Sequence, residues 1–141
     1  MAKTYDPLKV IVTADGIPLT GWADGKFISV KPAAAAFTKK VGASGEVARA
    51  KSNDLTQEVV LDFIQTSMSN DILSGFAALD KNNGGGQFAL SIIEIGTSNV
   101  LFATNAWVRQ DPDWERSKEI GEVSWTLDTD QAVRFTGGIP A

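Results

Sequence analysis

The feature that most constrains the fold is the stretch 43–79, where an alternating strand runs straight into the chain's one convincing helix. Over residues 55–65, Val59, Leu61 and Phe63 share one face, because side chains alternate along a strand. Glu58, Val60, Asp62 and Ile64 fall on the other. One face is apolar and one mixed, the pattern of a sheet covered on a single side. The helix is predicted over 69–79, with Ser67, Ser69 and Asn70 as candidate caps and Asp71 in the first turn, where it favours the helix dipole. Ile72, Leu73, Phe76 and Leu79 form its apolar stripe. Eleven residues make a helix only about 16 Å long. One that short is marginal alone and must be held by packing, so it is expected to lie on a sheet.

A chain of 141 residues is expected to form one domain, 1–141, with a core of its own. It contains no cysteine and no histidine, so it has no disulfide framework, thiol nucleophile or imidazole base. The net charge of −4 disfavours nucleic-acid binding, which needs clustered Lys and Arg. No apolar run approaches the roughly 20 residues of a membrane span. The first residues carry no apolar segment of the secretory type, so a cytoplasmic start, with release by lysis, is expected.

In order, the chain reads as β-rich. Strands are expected within 5–31, with a tight turn at Asp15-Gly16 and a return strand that Pro18 makes either short or an edge. Residues 32–54 make a long excursion, partly extended, with a strand expected within 45–50. Lys39, Lys40, Arg49 and Lys51 make this segment basic. Loops of this length are usually functional or disordered, which makes it a candidate partner-binding element. Residues 88–135 carry the remaining strands. In 100–109, Phe102, Ala106 and Val108 are expected on one face, with Leu101, Ala103, Trp107 and Arg109 on the other. Val123, Trp125 and Leu127 are expected inward, and 136–141 form a tail. The sum is a mainly β chain, an antiparallel β-sandwich or barrel with one flanking α-helix.

Candidate chemistry is thin. Gly84-Gly85-Gly86 lacks the Lys-Ser/Thr of a phosphate loop and follows a helix instead of opening one. Asp111, Asp113 and Glu115, and likewise Asp128 and Asp130, lack the ligand spacing of an EF-hand and fit ordinary turn chemistry. Trp107 and Trp125 are assigned to packing. Trp22 and Trp114 lie in turns, where they suit an interface or a sugar platform. No serine has a basic partner at catalytic spacing, so an enzyme is not expected.

Residues 37–54 (Phe-Thr-Lys-Lys-Val-Gly-Ala-Ser-Gly-Glu-Val-Ala-Arg-Ala-Lys-Ser-Asn-Asp), then Gln65-Thr66-Ser67-Met68-Ser69-Asn70-Asp71, resemble tail tube proteins of contractile-tailed bacteriophages. Tyr5-Asp6-Pro7 before a β-branched strand, Ala106-Trp107-Val108 and Gly137-Gly138 fit the same pattern, in order and spacing over nearly the whole chain. The resemblance implies a small β-sandwich closed by a helix. Six copies would form a ring whose sheets join into an inner β-barrel, and rings would stack into a tube within a contractile sheath. Implied partners are further copies of the chain, the sheath protein, baseplate or initiator and terminator proteins, a tape measure protein, and DNA passing without specific binding. The implied place is the virion tail tube, assembled in the host cytoplasm, with no catalytic residues and no cofactor.

On that reading Glu58 and Asp62 are expected to face the lumen and repel DNA. Tyr5, Lys39, Lys40, Arg49, Lys51, Asp54 and Trp114 are expected at contacts between subunits or rings, with 32–54 as the inter-ring loop. The competing expectation is a monomeric β-sandwich that binds carbohydrate through Trp22 or Trp114.

Overall fold

In this computed structural model residues 2–139 are described, so Met1, Pro140 and Ala141, the last two part of the expected tail, lie outside the described residues. A 3-10 turn, Pro7–Lys9, leads into β1 (Val10–Ala14), β2 (Ile17–Leu19), β3 (Ile28–Pro32), β4 (Phe37–Val41), β5 (Val47–Lys51) and β6 (Gln57–Ile64). Then come α1 (Ser69–Asn83), β7 (Phe88–Glu94), β8 (Val100–Gln110), β9 (Glu122–Thr129) and β10 (Ala132–Phe135). Eight strands form one antiparallel sheet in the order β2-β1-β7-β8-β9-β6-β3, with β10 also paired to β8, while β4 and β5 pair only with each other. The chain is thus mainly β, antiparallel, with one α-helix among the described residues.

Local chemistry explains the elements. Asp15 and Gly16 both have positive φ, 51° and 78°, the hairpin turn whose twist matches its strands. Pro18 sits in β2, at the sheet edge, where its missing N–H costs no ladder bond. In β6, Gln57, Val59, Leu61 and Phe63 are buried and the alternate residues are not, as alternation requires. They meet Trp125 and Leu127 of β9, because Leu61 lies opposite Trp125 and Val59 opposite Leu127. The sheet curls around this core. Ile28 and Val30 of β3 line one cleft with Val10 of β1 and Leu101 of β8, although β3 and β1 lie near opposite ends of the strand order.

The helix runs four residues past the predicted end. It buries Ser69, Leu73 and Ala77. Leu79, assigned to the apolar stripe, is 49 % exposed, because the contact with the sheet runs through Leu73, Phe76 and Ala77. No side chain caps its N-terminus in the usual way. Instead the candidate capping residues tie the helix to the sheet. Ser69 Oγ donates to Thr20 O (2.7 Å) and accepts from Thr20 N (2.8 Å). Asn70 Oδ1 accepts from the buried Trp125 Nε1 at 2.9 Å. Behind the helix, Gly86 passes so close that a Cβ there would lie 1.9 Å from Phe76 O.

One predicted face assignment is overturned. β8 changes face midway, since Leu90 opposes Ala103 but Phe88 opposes Ala106, leaving one extra residue on β8. Leu101, Ala103 and Ala106 are all buried, whereas Phe102, expected beside Ala106, is exposed. This is a β-bulge, which bends the strand and re-aims the side chains beyond it. Across it, β9 and β10 lie end to end along the same flank of β8, with Ala106 opposite Thr129 and Ala103 opposite Ala132.

Candidate functional site

The bulge divides the outward face of the sheet into two halves. Beyond it, the β3-β6-β9-β8 half is polar. Lys31, Glu58, Asp128 and Trp107 follow one another across four strands. Trp107, assigned to packing, is half-buried on this outward face instead of in the core. Arg109 bridges two carboxylates, with Nη2 at 2.5 Å from Asp128 Oδ1 and 3.2 Å from Glu58 Oε2. These bonds, to Asp128 first and Glu58 second, raise the guanidinium pKa further above its ordinary value. Four residues along β6 from Glu58, Asp62 accepts a hydrogen bond from Ser124 Oγ. The two residues expected to face a lumen, Glu58 and Asp62, therefore share one outward face, and Glu58 is partly neutralised.

Before the bulge, the β1-β7-β8-β10 half is apolar. Phe102 lies opposite Val133, and Ile93 and Phe135 both lie opposite Val100. Val133 is 65 % and Phe135 58 % exposed, and Phe102 and Ile93 are exposed too. Single exposed apolar residues are normal, but a contiguous group marks an interaction surface. Sequence reading missed this band because the bulge reverses the parity on which face assignment rests.

The segment 32–54 holds the separate hairpin β4–β5, all ten of whose strand residues are exposed. Lys39 opposes Arg49, flanked by Phe37 opposite Lys51 and Val41 opposite Val47, so these six side chains share one face. The Arg49 guanidinium lies 4.2 Å from the Phe37 ring centroid. Lys40 lies on the other face, opposite Ala48. Gln131 fastens the hairpin's base, donating to Asn53 O and accepting from Leu55 N, both at 2.6 Å. Asp54 sits there too. Hydrogen bonds from Thr56, the hydroxyl first and the N–H second, hold its carboxyl below the usual range.

The remaining candidates lie apart. Tyr5 is exposed and lines the mouth of the cleft beside Phe27 and Ile28. Trp114 is 88 % exposed in the β8–β9 connector, beside a groove against α1, with Arg116 5.7 Å from its ring centroid. Trp22 is corrected from a turn residue at an interface to a packing residue, since it stacks on Phe63 at 4.6 Å and bridges to it through the backbone. With that stack in place, one of its faces is closed to a sugar.

The fold has counterparts in known proteins. The chain is 25 % identical to structural protein ORF10 of Pseudomonas phage KPP10 over 144 residues, covering 96 % of this chain and 83 % of that one. Its fold matches the sheath/tube terminator of the extracellular contractile injection system PVC in its extended state, with TM-score 0.67 at 12 % identity over 96 % of this chain and 99 % of that one. It also matches a chain of the extended PVC sheath–tube complex, with TM-score 0.61 at 12 % identity, covering 92 % and 90 % of the two chains. The family model of the bacteriophage PhiTE tail tube protein matches residues 13–136, and the chain belongs to that family.

Proposed function

We propose that this chain forms the inner tube of a contractile phage tail by closing six copies into a ring and stacking the rings into a conduit for DNA ejection. The observation that carries this reading is the exposed apolar band of Ile93, Phe102, Val133 and Phe135 beside the short strand β10. A tail tube protein is a structural component of the virion, and an apolar band of this kind suits permanent contact with a neighbouring copy in the ring. The polar half with Glu58 and Asp62 then faces the lumen. Acidic groups repel phosphate over about 8 Å at physiological salt, so DNA slides without sticking. The segment 32–54 serves contacts between rings through Lys39, Lys40, Arg49 and Lys51, with Asp54 at its base and Tyr5 and Trp114 at contacts between subunits.

The role is structural, within a single tail-tube domain and without catalysis. Assembly takes place in the host cytoplasm, between an initiator or baseplate and a terminator, around a tape measure protein and inside a sheath. The likeness to chains of a sheath–tube complex and of a tube terminator supports the sheath and the terminator among these partners. Cryo-electron microscopy of the purified chain and of the native particle tests the reading. Six-fold rings with the apolar band buried between copies are expected; a particle whose tube lacks this chain overturns it.

A further inference from the structure

The β4–β5 hairpin and the β8–β9 connector lie at opposite ends of the same ladder and carry opposite charge. β6 begins at Gln57, just after the hairpin, and ends at Ile64. Ile64 lies opposite Glu122, the first residue of β9, which comes directly after the connector. Gln65 N–H donates to Gly121 O at 3.0 Å, tying the connector to that end. At the other end, Ala33 N–H donates to Thr56 O and Ser52 N–H to Ala36 O, seating the hairpin. Eight strand residues separate the two ends by about 25 Å. Over residues 37–51, Lys39, Lys40, Arg49 and Lys51 outnumber Glu46, for a net +3. Over 111–122, Asp111, Asp113, Glu115, Glu119 and Glu122 outnumber Arg116 and Lys118, for a net −3.

The connector borders a groove of ≈ 370 Å³ whose lining includes Asp111, Asp113, Glu115 and Glu122, with one cation, Arg109, already held by Asp128 and Glu58. Asp111 also pairs with Lys81 of α1. Both ends add apolar groups to their charge: Phe37, Val41 and Val47 on the hairpin, and Trp114 and Ile120 on the connector, all exposed. A two-stranded hairpin with nothing packed on it is marginal in water, so it needs a surface to lie on. Within one molecule the acidic groove is out of its reach.

We infer that the hairpin of one copy docks in the acidic groove between Gln110 and Glu122 of a second copy in the next ring. The inference rests on the tube reading and names the surface that receives the basic segment. Unlike charges at opposite ends make a head-to-tail contact, which leaves a free end of each kind and so propagates without closing. A chain of net charge −4 can stack on itself because the charge is distributed by end.

Two charge-reversed variants test it. The hairpin variant is Lys39→Glu with Arg49→Glu; the groove variant is Asp113→Lys with Glu115→Lys. All four side chains are exposed, so both variants fold, as circular dichroism will verify. Each alone is expected to form rings in negative-stain images and to lose elongation. Mixed in equal amounts, the two restore tubes, because each negative hairpin meets a positive groove and each positive hairpin a negative one. The chain has no cysteine, so Lys39→Cys with Glu115→Cys in one chain gives an independent readout. Oxidation should produce a ladder of covalent multimers. Wild-type-length tubes from either reversed variant alone, or no ladder from assembled tubes, overturns the docking site and leaves the tube reading standing. Wild-type chain absent from the tube of the native particle overturns both.

Discussion

Asn105 and Asp130 join across the point where β8 changes face. Asp130 Oδ2 accepts from Asn105 Nδ2 at 3.1 Å and Oδ1 from the Asn105 N–H at 3.3 Å, while the Asp130 N–H donates to Asn105 O at 3.0 Å. Two residues 25 apart in sequence thus pin the bulge on one side and the β9–β10 junction on the other. The position of that bulge decides which outward residues are polar and which apolar.

Asp130→Ala removes both side-chain bonds and keeps the backbone one. Hydrogen bonds to a charged group contribute about 1.5–3 kcal/mol when well formed, and these are part-buried and long, so a loss of about 1–2 kcal/mol is expected. Urea denaturation of the isolated subunit measures it. If the bulge also sets the ring contact, Asp130→Ala will weaken ring formation more than an equally destabilising core change such as Leu127→Val.

Two glycines should respond in opposite directions. At Gly86 a Cβ would lie 1.9 Å from Phe76 O and 2.5 Å from Asp80 N, both helix backbone that cannot yield. Gly86→Ala should therefore cost more than about 3 kcal/mol, the upper range for overpacking. Gly75 is an exposed residue inside α1 with open space around its Cβ position, so Gly75→Ala should stabilise by about 0.5–1 kcal/mol. Melting temperatures of the two variants, taken on either side of wild type, check the pair.

Much of this fold was legible because β6 and β9 are regular. Val59, Leu61 and Phe63 alternate without interruption, as do Trp125 and Leu127, and period two needs no tertiary information. The face of Phe102 was not legible. One extra residue in β8 reverses parity, and its signal, the Asn105–Asp130 pairing, is non-local. Leu79 was misassigned because a helical stripe names a face but not where the sheet ends beneath it. Trp22 was misread for a similar reason, since its partner Phe63 lies 41 positions away. The basic segment and the cluster of Asp111, Asp113 and Glu115 were each legible as charge but their relative placement was not, because only the β6–β9 register puts the two at opposite ends.

Asp54 offers a pH test at the base of the hairpin. Its pKa is lowered by the Thr56 hydroxyl first and the Thr56 N–H second, so the favourable contribution is present above the ordinary carboxylate range. It is lost as pH falls through the lowered native value. Thr56→Val keeps the shape and the N–H but removes the hydroxyl, so the Asp54 titration should move up toward that of a free aspartate. Carboxyl chemical shifts tracked against pH check it, and an unchanged midpoint would show that the hydroxyl bond is not made.

The charge of the proposed bore gives a functional test. Asp62→Lys turns one outward carboxylate on the polar half into a cation and leaves its neighbours Glu58, Asp128 and Arg109 in place. Tubes of normal length are expected, since the apolar band and both ends are untouched. DNA transit should slow, and more so at low ionic strength, where the field of an exposed charge reaches farther. Ejection assays over a salt series read this out, and transit at the wild-type rate at every salt concentration would place Asp62 away from the DNA path.

Trp22 and Trp114 separate stability from assembly. Trp22 stacks on Phe63 and lies 5.4 Å from Phe27, ring centre to ring centre, so Trp22→Ala leaves a cavity against the core. A cost of about 3–4 kcal/mol is expected, in the range for large aromatic truncations. Trp114 is 88 % exposed and supports nothing beneath it, so Trp114→Ala should change subunit stability by less than about 0.5 kcal/mol. If the connector receives the neighbouring hairpin, that variant folds normally and elongates poorly. Denaturation midpoints measured beside tube lengths distinguish the outcomes: a stable Trp114→Ala subunit that builds full-length tubes would remove Trp114 from the contact, and a Trp22→Ala subunit of wild-type stability would remove Trp22 from the core.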